Sequence, residues 1–348
     1  MNKIALITGI NGQDGSYLAE FLLEKGYDVH GVVRRTSQFN RGRIEQTREK
    51  AIHNGQVFNL VYGDMGSPGS FNKYIYKYNP TEIYNLASQS HVAISFEEPE
   101  YSTEVNGNSV LRLLESMRYL KTECRLFQAS TSELFGIPTV SPQDENTPFH
   151  PVSPYGVSKL FAYWMIRTYR DAYGMHANNG ILYNHESPRR GENFVTRKIT
   201  YSLARIRHGM QQVLELGNIN AERDWGFAGD YVKAMWLILQ QEKPDDYVIA
   251  TGIKHTVRDF VERAAEVAGF SIDWEGRGVN EIGIDRISGK TIVKINPAFY
   301  RPIEPGDLYG NANKAFTTLN WKPEVSFETL VQLMMESDLD AVVHGDRR

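Results

Sequence analysis

The residues whose types and spacing could do chemistry lie in Ser153-Pro-Tyr-Gly-Val-Ser-Lys159. The segment reads as a helix start, with Ser153 as the cap and Pro154 at the first helical position. Tyr155 and Lys159, four apart, then share one helix face. An ammonium beside a phenol favours the phenolate, which makes the tyrosine usable as a base near neutral pH. Tyr-x-x-x-Lys is common by chance, so the pair needs a redox partner from elsewhere in the chain.

A nucleotide site near the start supplies one. Lys3–Thr8 is apolar on both faces, as a buried parallel strand should be. Gly9-Ile-Asn-Gly-Gln-Asp-Gly15 follows, then a helix-periodic run through Leu18, Phe21 and Leu22 that stops at Gly26. Strand, glycine turn and helix N-terminus form the setting in which backbone amides hold a pyrophosphate. Gly9, Asn11, Gly12, Gln13, Asp14 and Gly15 are therefore candidate contacts. The next strand, Tyr27–Val33, ends in Arg34-Arg35, where NAD sites carry an acid. Cations there suit a ribose 2′-phosphate, so NADP is the expected cofactor. Asp64, ending a third strand, could accept from an adenine amine or cap a turn.

These residues need a scaffold. Strand-like runs at 57–61, 82–87, 125–133 and 178–183 alternate with helical spacing at 101–120 and 154–173. The alternation predicts an α/β fold, a Rossmann-type doubly wound parallel sheet with a smaller α/β C-terminal substrate-binding lobe. The expected division is 1–183 plus 225–250 for the NADP-binding domain and 184–224 plus 251–348 for the lobe. Helices are expected over 195–207, 231–240, 257–268 and 326–343, and the glycine-rich stretch 276–290 reads as a long loop. Ser130-Thr-Ser-Glu133 lies at the carboxyl end of its strand, where ligands bind in open α/β sheets. Thr131 or Ser132 can donate to a substrate oxygen there.

Composition sets limits. The 348 residues, 41% apolar and 23% charged, allow one large domain or two ordinary ones with a sizeable core. A net charge of −4, with no aromatic RNA-binding motif, argues against nucleic acid. No run approaches about 18 apolar residues, and the start lacks a signal-peptide pattern. The single Cys124 rules out an intramolecular disulfide and a multi-cysteine zinc site. It fits a reducing, cytoplasmic setting, and its place at a strand entry suggests packing. No metal is expected.

Ile7–Leu18, Val33–Arg35, Ser130–Gly136, Ser153–Tyr155, Asn184–Glu192, Phe194–Lys198, Arg223–Gly226 and Tyr300–Pro302 together carry a resemblance. Over nearly its whole length the chain resembles the extended short-chain dehydrogenase/reductase superfamily, and within it the nucleotide-sugar 4,6-dehydratases. The resemblance implies a redox-neutral dehydration. GDP-mannose is the implied substrate, with a GDP-manno-heptose or a 4-epimerisation as alternatives. Tyr155 would take the proton of the sugar 4-hydroxyl as NADP takes the C4 hydride. Lys159 would steady the phenolate and bind the nicotinamide ribose. Glu133 would remove the C5 proton, and water would leave C6 with Thr131 or Glu133 assisting. By the same resemblance Asp64, Met65, Leu86, Ala87, Tyr101, His185 and Arg190 join the glycine turn, Arg34 and Arg35 around NADP. Ser88, Ser132, Asn184, Lys198, Arg223, Arg301 and Glu304 would hold the GDP-sugar. The basic segment 34–43 would reach a neighbouring subunit's cofactor, implying a homodimer or homotetramer. Ala87–His91, the loop 276–292 and Glu304–Gly310 depart from the family pattern.

Overall fold

A computed structural model describes residues 3–345 except Gln38, Pro68 and Ser70. In chain order β1 (Ile4–Thr8), α1 (Gln13–Glu24), β2 (Asp28–Val33), α2 (Gly42–His53), β3 (Phe58–Tyr62), α3 (Asn72–Tyr78) and β4 (Glu82–Asn85) alternate. The short helices α4 (Val92–Glu97) and α5 (Pro99–Thr103) lead through a π-helical turn, Glu104–Asn108, into α6 (Ser109–Tyr119). Then come β5 (Arg125–Thr131), a 3-10 turn (Ser132–Leu134), α7 (Pro154–Tyr173) and β6 (Ala177–Leu182). The remainder is β7 (Asn184–Glu186), α8 (Val195–Arg207), β8 (Leu214–Leu216), β9 (Glu222–Phe227), α9 (Ala228–Gln240), β10 (Asp246–Ile249), β11 (Lys254–Thr256) and α10 (Val257–Val267). It ends with β12 (Ile272–Glu275), β13 (Ile282–Asp285), β14 (Thr291–Ile295), α11 (Asn313–Leu319) and α12 (Phe327–His344).

Two compact units result. The first comprises 1–183, 228–252 and 305–322. Its seven strands are all parallel, in the order β10-β6-β5-β4-β1-β2-β3. The order reverses between β1 and β4, so their carboxyl ends open a crevice of the kind that takes ligands. Strands β1 and β4 are buried almost throughout, and α1 and α9 pack through Leu18, Leu22, Met235 and Leu239 into one core. A second core under α6 and α7 takes in Leu113, Leu114, Met117, Ala162 and Ile166. Burying each large apolar side chain contributes about 1.5–3 kcal/mol. Cys124 lies in that core, and burial pushes its thiol up to about 11.

The second unit comprises 184–227, 253–304 and 323–348. It holds a three-stranded sheet, β11-β9-β7, and a four-stranded one, β12-β13-β14-β8. Its core joins Ile199 and Leu203 of α8, Phe260 and Val261 of α10, and Leu330 and Met334 of α12. Among the described residues, no helix is long and apolar enough to cross a membrane.

Four expectations change. Residues 305–322, expected in the second lobe, belong to the first unit. Leu319 and Trp321 are buried in its core, and the Trp321 indole donates to Asp230 O at 2.9 Å. Residues 225–227 belong to the second unit, because β9 pairs with β7 and β11. The stretch 276–290 is no simple loop: β13 forms within it and pairs with β12 and β14, the chain turning through Gly289 at φ +66. The helix expected over 101–120 is interrupted by the π turn, where Asn106-Gly-Asn108 puts three poor helix formers in a row.

Candidate active site

In the first unit, Ser153 Oγ accepts from Gly156 N at 3.0 Å and Pro154 occupies the first helical position of α7. The next residue is Tyr155, whose backbone N–H donates to the buried Ser95 Oγ on α4 at 3.1 Å. Lys159 lies one turn on, 3% exposed, its Nζ 5.9 Å from the Tyr155 ring centroid and 2.9 Å from Ala129 O, to which it donates. Burial lowers the Lys159 ammonium to about 8, and the Asp14 charge pulls the other way.

The turn after β5 meets the same helix. Thr131 Oγ1 accepts from Glu133 N at 3.2 Å and so caps the 3-10 turn, with Ser132 buried and Glu133 half-buried. A Cβ on Gly156 would stand 2.8 Å from Glu133 O and 3.0 Å from Pro151 Cβ. The glycine after Tyr155 thus lets the Glu133 turn come against the start of α7. Thr131 and Glu133 lie on the turn that meets the start of the helix carrying Tyr155 and Lys159.

At the cofactor turn, Gly9 sits at φ +67, where an added Cβ would stand 2.9 Å from the Ala87 backbone. A Cβ on Gly15 would collide with Gly9 O. The bare backbone and the α1 amides form a cradle that fits a pyrophosphate. Leu86 N and Ala87 N donate to the buried Thr8 Oγ1 at 3.1 and 3.0 Å, fixing the end of β4 against that turn. Asn11 Nδ2 donates to Asn40 O, and Gln13 Nε2 to Asp14 Oδ1. Arg34 and Arg35 are exposed at the end of β2, and Arg34 donates to the Tyr101 hydroxyl at 2.8 Å. The basic segment 34–43 runs into α2, which starts at Gly42 with Arg41 as its cap residue and Arg43 in its first turn.

Of the two readings of Asp64, the structure forms the turn cap: its Oδ1 accepts from Gly66 N at 2.9 Å. The Met65 side chain lies in the core with Val32 and Ile83. Ser88 Oγ donates to Asn106 Oδ1 at 2.8 Å. Asn106 was not foreseen. From the π turn its side chain also accepts from Gln89 N and donates to Gln89 O, both at 2.9 Å. Its signal was the run of poor helix formers inside a helical period.

In the second unit, β7 carries Asn184 and the buried His185. Arg190 pairs with the buried Glu186 at 3.0 Å and lies over the Phe194 ring at 3.7 Å. Lys198 lies 3.4 Å from the Phe299 ring centroid, and burial lowers its pKa while Glu215 opposes. Arg223 and Glu304 pair with each other at 3.2 Å. Arg301 is half-buried in the segment after β14.

A glycine turn at a sheet's switch point and a tyrosine–lysine helix beside it define the extended short-chain dehydrogenase/reductase class. A solved dTDP-glucose 4,6-dehydratase from Bacillus anthracis, in complex with NAD, has this fold, with TM-score 0.76, 20% identity and 96% of each chain covered. The family model for GDP-mannose 4,6 dehydratase matches residues 6–334. The GDP-mannose 4,6 dehydratase of Drosophila melanogaster is 53% identical over 97% of this chain and 87% of its own length. That of Sinorhizobium fredii (strain HH103) is 51% identical over 99% of both. The chain belongs to the GDP-mannose 4,6-dehydratase family.

Proposed function

We propose that the chain converts GDP-mannose into GDP-4-keto-6-deoxymannose, as a hydro-lyase using a nicotinamide cofactor. About half of its residues match GDP-mannose 4,6-dehydratases across nearly the full chain. The observation that carries the chemistry is the approach of the Glu133 turn to the Tyr155–Lys159 helix at Gly156. Epimerisation at C4 needs only the tyrosine, whereas β-elimination needs a second acid/base, and Glu133, on the turn that meets the start of α7, is the residue proposed for that role.

Held by the Gly9–Gly15 turn, a nicotinamide cofactor would supply the means to take up a hydride from C4 and to give it back at C6. Tyr155 takes the proton of the sugar 4-hydroxyl, with Lys159 favouring its phenolate. The 4-keto group then acidifies C5–H, and Glu133 removes that proton. Thr131 or Glu133 assists the C6 hydroxyl to leave as water, and as hydride is added at C6 the proton taken up by Tyr155 or Glu133 is given back at C5, which completes the 6-deoxy sugar. Ser88 and Ser132 supply hydroxyls for the sugar. In the second unit Asn184, Lys198, Arg223, Arg301 and Glu304 supply groups suited to a nucleoside diphosphate, the cations to its charge. NADP is the proposed cofactor, because Arg34 and Arg35 stand where a 2′-phosphate would lie. His185 and Arg190 belong to the same proposal.

A second copy of the chain is the proposed partner. Val157, Phe161 and Trp164 form an exposed apolar stripe on α7, which supports a homodimer or homotetramer. Light scattering tests this, and a monomer mass would overturn it. A cytoplasmic setting suits the lone buried Cys124.

Incubation with GDP-mannose and with GDP-manno-heptose, followed by mass spectrometry, tests the reaction. Loss of one water from GDP-mannose is expected. An unchanged mass with an inverted C4 would indicate an epimerase, and loss of water from the heptose alone would reassign the substrate.

A further inference from the structure

Thr8, Asn85 and Gln128 occupy one register level on the adjacent strands β1, β4 and β5. Each is about 1% exposed, in a sheet whose neighbouring positions are apolar. Thr8 Oγ1 accepts from Leu86 N and Ala87 N, so its single hydrogen goes to Asn85 Oδ1, 2.7 Å away. That fixes the Asn85 amide, whose Nδ2 donates to Gln128 Oε1 at 2.7 Å. Gln128 must then present its Nε2 to Ala129 O, at 3.0 Å. Lys159 Nζ donates to the same oxygen at 2.9 Å. One hydroxyl at the cofactor turn thereby dictates the direction of every bond as far as the lysine.

We propose that Gln128 is a positioning residue for Lys159, the last rung of a polarised ladder that runs from the Thr8 hydroxyl beneath the cofactor turn. The idea rests on the reading of Tyr155 and Lys159 as the catalytic pair. Register pairing between β4 and β5 ends at Asn85–Gln128, so Ala129 O is taken up by side chains. With one Gln128 hydrogen on that oxygen, Lys159 meets it along the remaining direction and keeps its other hydrogens for Tyr155 and a ribose. Asp14 is the charged group that acts on Lys159. Of the acids on elements packed against α7, Glu104 is taken up by Arg112, and Glu133 lies on the turn beside Gly156.

The test uses Gln128→Glu and Gln128→Leu in the full chain. In Q128E one oxygen still accepts from Asn85, and the carboxylate draws the ammonium off Ala129 O. Lysine labelled at 13Cε, with the Lys159 signal identified by its loss in K159R, reads this without cofactor. The Q128E titration midpoint should rise by more than half a pH unit. In Q128L, kcat should fall at least tenfold, with KM for GDP-mannose and NADP affinity within threefold. A Q128E midpoint equal to wild type, or a Q128L kcat equal to wild type, would overturn the proposal. Should Q128E fail to fold, Q128L alone decides it. Y155F separates the premise: turnover surviving there defeats the catalytic reading, and the NMR titration then judges the ladder by itself.

Discussion

At the scale of single residues the chemistry rests on two opposite treatments of charge. Lys159 is buried and Glu133, in the middle of its 3-10 turn, is only half-buried. Glu133→Gln keeps the shape of the side chain but removes the carboxylate proposed as the base. It should lower turnover by about 10²–10⁴-fold while binding of the nicotinamide cofactor stays unchanged, which single-turnover assay and fluorescence titration measure. Near-normal turnover would remove Glu133 from the mechanism. Lys159 gives a pH prediction. Its ammonium is lowered by burial to about 8 from an ordinary 10.5. Between those values the unfolded chain binds a proton that the folded chain has shed, so the lysine makes stability rise with pH across that window. Below it the fold carries the full cost of the buried charge. Lys159→Met removes that cost. The stability of K159M relative to wild type should be more favourable at pH 7 than at pH 10.5 by about 3 kcal/mol. Urea titrations at the two pH values check it, and a difference independent of pH would refute it.

At the scale of elements, the helix α7 is placed by its first four residues. Ser153 caps it, Pro154 starts it, Ser95 holds the Tyr155 amide and Gly156 admits the Glu133 turn. Gly156→Ala forces a methyl against Glu133 O and Pro151. The clash should cost about 1–3 kcal/mol of stability. It should also lower kcat more than KM, because the helix start moves relative to the turn. A melting scan with steady-state kinetics checks both parts, and a silent substitution would show that the turn is not held by this contact. The cap and proline were legible in the sequence, as was the strand, glycine turn and helix at residues 3–26, because those signals are local. Gly156 and Ser95 were not, since their meaning lies in atoms that approach from other elements. Gln128 was visible only as a polar residue in the apolar run Leu126-Phe-Gln-Ala129.

At the scale of the whole molecule, regular β/α alternation made the first unit readable; its failure after Tyr183 hid the sheets of the second, though the helices expected at 195–207, 257–268 and 326–343 are found there. Short strands such as β8 and β14 pair in parallel at Val293–Leu214 across a long stretch of chain, and no local pattern announces that pairing. The return of 305–322 to the first unit depends on where Trp321 finds a core. The end of the chain did leave one signal: Asp338 is a charge in the apolar face of α12. In the second unit it is fully buried and accepts from Arg197 on α8, whose Nε and Nη2 lie 2.6–2.8 Å away, and from Thr200 Oγ1 at 2.6 Å. Arg197 also donates to Pro188 O and to Arg190 O, so the pair ties α12 to the 184–192 loop. Buried pairs contribute little over apolar packing, but breaking one strands a charge. Asp338→Ala should therefore cost about 3–5 kcal/mol. The double variant R197M/D338L should recover at least half of that in a thermal or urea melt. The recovered fold should still bind GDP more weakly than wild type, since Pro188 O and Arg190 O have lost their donor. Equal destabilisation in the single and double variants would show that the pair acts through packing, and wild-type GDP affinity in the double variant would show that the loop keeps its shape without Arg197.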